Sequence, residues 1–169
     1  MPTITFSLKD LQKLVGKNLS IEEVSSLLEY GKGEVEEYNK EEDEITVSLG
    51  DTNLPYLWSV EGIARLFRSV LGKEKGAPKL KIQKGPYKIV VESSVTKVRA
   101  FIAACIVKGA KVDTHFIKQL IQLQEKLCEN YGRKRDKVAM GIYRCDKIKF
   151  PIYYKATTPE SVKFIPLDF

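Results

Sequence analysis

Residues 120–137 read LIQLQEKLCENYGRKRDK, and this stretch decides how the rest of the chain is read. At about 100° per residue, Ile117, Leu120, Ile121, Leu127, Cys128 and Tyr131 share one helical arc, which Phe116 and Leu123 extend. Gln124 falls near the centre of that arc and Glu125 at its margin. A buried amide without a partner costs on the order of 1–3 kcal/mol. Gln124 therefore either bonds to backbone or faces a cavity that admits water or a ligand. Past the helix, Gly132 is followed by Arg133, Lys134, Arg135 and Lys137. Positive charge is favoured at a helix C-terminus. Four cations within five residues exceed what capping requires, and a nearby phosphate or carboxylate would use the surplus.

The segments around this helix read as strands. YKIVVES (87–93) precedes it, and FIAACIVKG (101–109) is apolar enough for burial on both faces. Asp113 or Thr114 caps the helix start. KVAMGIY (137–143) follows as another strand of the buried type, then the shorter IYYKA and VKFIPL. One prominent helix among several strands makes this part α+β.

Upstream, TITF (3–6) reads as a short strand. Ser7 caps LKDLQKLVG, and Ser20 with Glu23 forms a capping box that opens a helix running to Gly31. GEVEEYNKEEDEITVSLG (33–50) reads as two strands about an acidic turn. In residues 51–72, turn residues are followed by a helix with Val60, Ile63, Ala64, Phe67, Val70 and Leu71 at helical spacing, closed by Gly72. KEKGAPK, with Gly76 and Pro78, reads as a linker. The boundary between an N-terminal domain (1–75) and a second unit (86–169) is placed within 73–86.

Charge divides the chain in the same way. The net +6 splits into −6 over residues 1–50 and +12 over 51–169. A basic surface attracts polyanions through counterion release, so nucleic acid is a reasonable partner for the second part. Hydrophobic residues make up 43%, enough for a packed core. No apolar run approaches the length needed to cross a bilayer, and the N-terminus has no signal-peptide pattern. Cys105, Cys128 and Cys145 are widely spaced and read as reduced, buried thiols of a cytosolic protein. His115 is the only histidine. No zinc site and no histidine-dependent triad is expected, and His115 reads as a surface residue.

Several motifs carry a family resemblance. LIQLQEKLCENYGRKRDKVAMGI with the DKI that follows, DTNLPYLWSVEGIARL with LGKEKGAPK, FIAACIVKGAKV, VKFIPL and LLEYGKGEVEE stand in the order found in the beta subunit of archaeal and eukaryotic phenylalanyl-tRNA synthetase. The chain resembles the N-terminal part of that subunit over nearly its whole length, and the archaeal form more than the bacterial one. The resemblance implies a small winged-helix-like N-terminal domain followed by the first part of an α+β tRNA-editing domain. It implies a role in aminoacylation of tRNA(Phe) and in hydrolysis of tyrosine misattached to that tRNA. The partners would be the alpha subunit, in an assembly of two alpha and two beta subunits, and tRNA(Phe). ATP and magnesium would serve the complete synthetase and not this chain, the location would be cytoplasmic, and no membrane would be involved. Gln124, Glu125 and Arg135 correspond to residues near the ester to be cut. The tRNA-facing positions would be Arg133, Lys134, Lys137 and Leu167, the last against the terminal adenosine.

The pattern departs from the family at Leu54 and Tyr56, where charged residues are usual, and at Tyr143 and Arg144, where His-Asp is usual. The family subunit is also several times longer, and further strands and an asparagine of the editing pocket lie downstream of position 169. The chain alone is therefore expected to be inactive, as a piece of a longer subunit. The alternative is a free-standing shortened relative that acts as an RNA-binding or assembly module without catalysis; a free-standing editing hydrolase fits less well.

Overall fold

Strand β1 (Thr3–Ser7) begins the chain and is followed by helices α1 (Leu8–Val15) and α2 (Ile21–Leu28), which extends by a tight turn to Gly31. A hairpin of β2 (Gly33–Asn39) and β3 (Glu44–Leu49) comes next, then helix α3 (Val60–Val70). This architecture comes from a computed structural model that describes residues 2–51 and 53–165. Beyond α3 lie β4 (Ile89–Val91), α4 (Thr114–Lys126) and β5 (Ile152–Tyr154). The fold class is α+β, as the sequence implies.

The helix starts follow the capping chemistry written in the sequence. Ser7 Oγ accepts from Asp10 N at 3.1 Å, and Ser59 Oγ accepts from Gly62 N at 3.2 Å. At α2, Ser20 Oγ accepts from Glu23 N while Ser20 N donates to Glu23 Oε2 at 2.9 Å, completing the capping box. Asp113 rather than Thr114 caps α4, its Oδ1 accepting from Phe116 N at 2.8 Å.

The chain separates into two units, each treated on its own. The first joins Met1–Pro78 with Lys111–Ile142, and the second joins Lys79–Ala110 with Tyr143–Phe169. The linker window 73–86 contains the first of these crossings. The stretch 86–169 is shared between both units, because α4 docks on β1.

In the first unit the sheet order is β1-β3-β2, antiparallel throughout, with both helices inserted between β1 and β2. This is a winged-helix-like arrangement in which the β2–β3 hairpin forms the wing. The register places Ile4 opposite Val47 and Phe6 opposite Ile45, so alternate side chains reach one buried face. Leu11, Val15, Val24 and Leu28 pack on that face from α1 and α2, and Val60, Ile63, Ala64 and Phe67 from α3. Trp58, fully buried just before α3, completes the core. Gly62 allows the close approach there, since a Cβ would stand 1.6 Å from the Tyr56 carbonyl oxygen. The acidic residues of the wing, including Glu36 at a bulge in β2, lie outside the core.

In the second unit β4 and β5 pair in parallel, Ile89 opposite Ile152 and Val91 opposite Tyr154. Tyr154 Oη donates to the Arg99 carbonyl at 2.9 Å, and the Tyr87 and Phe150 rings meet with centroids 4.7 Å apart. The strands expected at 101–109 and 137–143 are not formed. Both segments are irregular and mostly exposed, with Phe101 and Val107 open to solvent. A strand exists only through its ladder, and among the described residues no neighbouring strand pairs with either segment. Residues 162–165 of VKFIPL also carry no strand, and its last two residues lie outside the described residues.

Candidate functional site

Helix α4 and the turn that ends it gather most of the predicted site residues. The helix does not bury the arc expected from periodicity. Ile117, Ile121 and Tyr131 are about half exposed, and of that arc only Cys128 is fully buried. The face that docks is a neighbouring one: Leu123 and Leu127 pack against the core. Beside them, Gln122 Oε1 accepts from Thr5 N at 2.8 Å and its Nε2 donates to Thr5 O at 3.0 Å. Gln119 Nε2 donates to the same carbonyl at 3.1 Å. The amides that satisfy backbone are therefore Gln119 and Gln122, which the sequence reading passed over. Their spacing of three residues, which puts two amides on one helix stripe, was the available signal.

Around the helix Gln124 lies between Leu127, which packs on the core, and the buried Cys128. Its side chain is half-buried and forms no hydrogen bond with another described residue. Glu125, next to it, is exposed. Of the two readings open for Gln124, a bond from its side chain to backbone is not formed with any described residue.

After Lys126 the helix widens into a π-type turn over Leu127–Tyr131. The chain then makes a left-handed turn with Arg133, Lys134 and Arg135 at φ 49°, 56° and 68°. Successive non-glycine residues in this region cost roughly 1–2 kcal/mol each. The turn persists because its N–H groups satisfy the last carbonyls of the helix: Gly132 N to Leu127 O at 2.8 Å, Lys134 N to Glu129 O at 3.0 Å, and Arg135 N to Cys128 O at 3.0 Å. Gly132 is buried in this knot, and a Cβ there would lie 2.1 Å from Val138 O and 2.6 Å from Cys128 O. Cys128 Sγ accepts from Met140 N at 3.2 Å, tying the returning chain to the helix.

The left-handed turn carries Arg135 back along the end of α4. Its guanidinium pairs with Glu129, which lies one turn beyond Glu125. Arg133, Lys134 and Lys137 are exposed on the same turn, Lys137 Nζ standing 2.9 Å from Asp136. Gln124 and Glu125 thus lie on the last turn of α4, and the cationic turn follows the π-type turn that ends it. Arg135 is held by Glu129 and not by Glu125. Leu167 lies outside the described residues.

The other expectations are placed as follows. His115 is exposed at the start of α4, its Nε2 3.5 Å from Asp10 Oδ2. The three thiols are free, but only Cys128 is buried; Cys105 is exposed and Cys145 half-buried. Arg144, at one of the positions that departs from the family pattern, makes a two-pronged contact with Asp146 at 2.6 and 3.1 Å. The hydrogen bond from Arg144 holds the Asp146 carboxyl below the ordinary carboxylate range. Among the described residues no helix is long and apolar enough to cross a membrane, and no group of three His, Cys, Asp or Glu could hold a metal ion.

No protein-family model matches the chain. Among curated proteins it is 42% identical over its whole length to the phenylalanine–tRNA ligase beta subunit of Thermococcus kodakarensis, spanning 30% of that protein. It is 40% identical over its whole length to the beta subunit of Pyrococcus furiosus, spanning 31%. The crystal structure of an N-terminal fragment of the phenylalanyl-tRNA synthetase beta subunit from Pyrococcus horikoshii superposes with a TM-score of 0.90 at 40% identity, over 99% of this chain and 49% of that fragment. The chain is similar over its whole length to the N-terminal part of the archaeal phenylalanine–tRNA ligase beta subunit, and spans about a third of the length of these relatives.

Proposed function

We propose that the chain acts as the N-terminal region of a phenylalanyl-tRNA synthetase beta subunit, in the cytoplasm, with an alpha subunit and tRNA(Phe) as partners in an assembly of two of each subunit. ATP and magnesium are used by the complete synthetase in aminoacylation, and neither is assigned to residues of this chain. In this reading the last turns of α4 form one side of a site that hydrolyses Tyr-tRNA(Phe), completed by residues outside this chain. The chain by itself neither charges tRNA nor hydrolyses the mischarged product.

The observation that carries the reading is the whole-chain similarity to the beta subunit, taken with the amide of Gln124, whose side chain bonds to no other described residue. Water attacks the ester carbonyl, the bond to the ribose oxygen breaks, and tyrosine leaves as the free acid. Negative charge develops on the carbonyl oxygen, and a positioned donor stabilises it. Gln124 supplies an amide N–H for that role. Glu125 accepts a hydrogen bond from the attacking water or the ribose hydroxyl. Arg135, with Arg133, Lys134 and Lys137 around it, offers planar and point-charge contacts to the terminal phosphates.

The test is the complete assembly carrying alanine at Gln124, Glu125 or Arg135, assayed for Tyr-tRNA(Phe) deacylation and for phenylalanine charging. Loss of deacylation with charging retained supports the assignment. Joint loss of both activities together with thermal stability would make these residues scaffold.

A further inference from the structure

We infer that Gln122, supported by Gln119, is a positioning residue: it latches α4 to the outer edge of β1 and so sets the placement of Gln124 and Glu125. The inference about docking stands on the contacts alone. Its consequence for hydrolysis rests on the function proposed above.

Strand β1 is an edge of its sheet, with β3 on one side only. An edge residue exposes an N–H and a C=O that a further strand would pair with. At Thr5 the primary amide of Gln122 takes that strand's place, with one acceptor and one donor meeting the backbone donor and acceptor at 2.8 and 3.0 Å. Gln119 adds a second donor to the Thr5 carbonyl at 3.1 Å, and Gln122 Nε2 also reaches Gln119 Oε1 at 3.3 Å. The contact joins residues 117 apart in sequence. An amide fits this task better than any charged side chain, because it alone offers both hydrogen-bond polarities at neutral pH.

The helix has little else to fix its rotation and register. None of its residues is fully buried, and its apolar docking consists of the partly buried Leu123 and Leu127. Apolar contacts of this kind tolerate sliding, whereas a two-pronged amide-to-backbone pair does not. Gln124 lies about 200° around the helix from Gln122 and Glu125 about 300°. A rotation or slip of α4 therefore moves both groups together. Donors aimed at a developing charge lose their effect when displaced by about 1 Å.

Two variants separate latch from packing. Gln122→Leu keeps the volume and removes both polarities. Gln122→Glu keeps an acceptor for Thr5 N–H but sets a carboxylate oxygen against the Thr5 carbonyl; once protonated, its O–H replaces the lost donor. The first readout is amide hydrogen exchange of residues 114–131 in the 169-residue chain. Gln122→Leu is expected to speed exchange there by about tenfold or more while the β1–β3 core stays protected. Gln122→Glu is expected to behave like Gln122→Leu at neutral pH and to regain wild-type protection, compared at equal pH, as its carboxyl protonates. Unchanged exchange in Gln122→Leu, or no pH-dependent rescue in Gln122→Glu, overturns the latch. The second readout is Tyr-tRNA(Phe) deacylation by the complete assembly, where Gln122→Leu should lower kcat with KM nearly unchanged and charging untouched. If Gln124→Ala abolishes deacylation but Gln122→Leu, with its helix loosened, does not, the positioning role fails while the site reading stands. If Gln124→Ala itself leaves deacylation intact, the site reading fails and takes the positioning role with it.

Discussion

Replacing Gly132 with alanine should open the end of α4. The added Cβ would stand 2.1 Å from the Val138 carbonyl oxygen, 2.6 Å from the Cys128 carbonyl oxygen and 3.1 Å from Cys128 Cα. All three are backbone atoms, so no side chain can rotate out of the way. The backbone at Gly132, at φ −75°, is acceptable to alanine, so the penalty is steric and not conformational. Overpacking of this kind typically costs about 1–3 kcal/mol. Contacts this short with backbone on two sides place Gly132→Ala at the upper end. The left-handed turn gives way first, because its three strained residues are tied to the helix end by hydrogen bonds that the new Cβ would pry apart. At about 1.4 kcal/mol per factor of ten, a 3 kcal/mol penalty corresponds to roughly a hundredfold rise in local opening. Amide hydrogen exchange of residues 128–137 reads that opening, with Ile4, Phe6, Ile45 and Val47 as controls in the sheet. Wild-type protection across 128–137 in the variant would refute the reasoning, because the knot around Gly132 would then have room that the geometry denies.

Glu23 gives a pH dependence with a definite sign. Hydrogen bonds from the Lys17 ammonium, at 2.7 Å, and from Ser20 N–H hold its carboxyl below the ordinary glutamate value. The stabilisation is present above the ordinary value and is lost as pH falls through the lowered one. Glu23→Gln, which keeps the capping acceptor without the charge, should melt lower than wild type at neutral pH, and the difference should vanish in strong acid; a difference that grows on acidification contradicts the assignment. Limited proteolysis is expected to cut first within 73–86, and earlier cutting inside 114–131 would contradict the proposed division of the chain there.

What could be read from the sequence was local. Ser7, Ser20 with Glu23, and Asp113 announced helix starts through side-chain chemistry that needs no tertiary partner. The alternation in TITF announced one strand, and GEVEEYN and EITVSL announced two more that the hairpin brings together within a few residues. The failures share a cause. FIAACIVKG and KVAMGIY carry the apolar pattern of buried strands, but such a pattern reports a preference for burial and not the presence of a ladder. In α4 the centre of the apolar arc fell near Gln124, while the docked face is centred on Gln122, Leu123 and Leu127. Three amide-to-backbone hydrogen bonds, invisible to hydropathy, lie on that face. The cationic run could be seen in the sequence as a surplus over helix capping, but the left-handed path through three non-glycine residues could not be foreseen. It depends on carbonyls left over by a π-type turn and on the small volume of Gly132.

The most direct test of the proposed site is single-turnover hydrolysis of Tyr-tRNA(Phe) by the complete two-subunit assembly, wild type against Gln124→Ala, at saturating enzyme. Removing one positioned donor to a developing oxyanion typically slows the step by about 10²–10³. The account predicts a loss of that size in the hydrolytic rate constant, with phenylalanine charging by the same preparation unchanged. Hydrolysis at the wild-type rate by Gln124→Ala would contradict it, since the amide of Gln124 would then have no part in the chemistry.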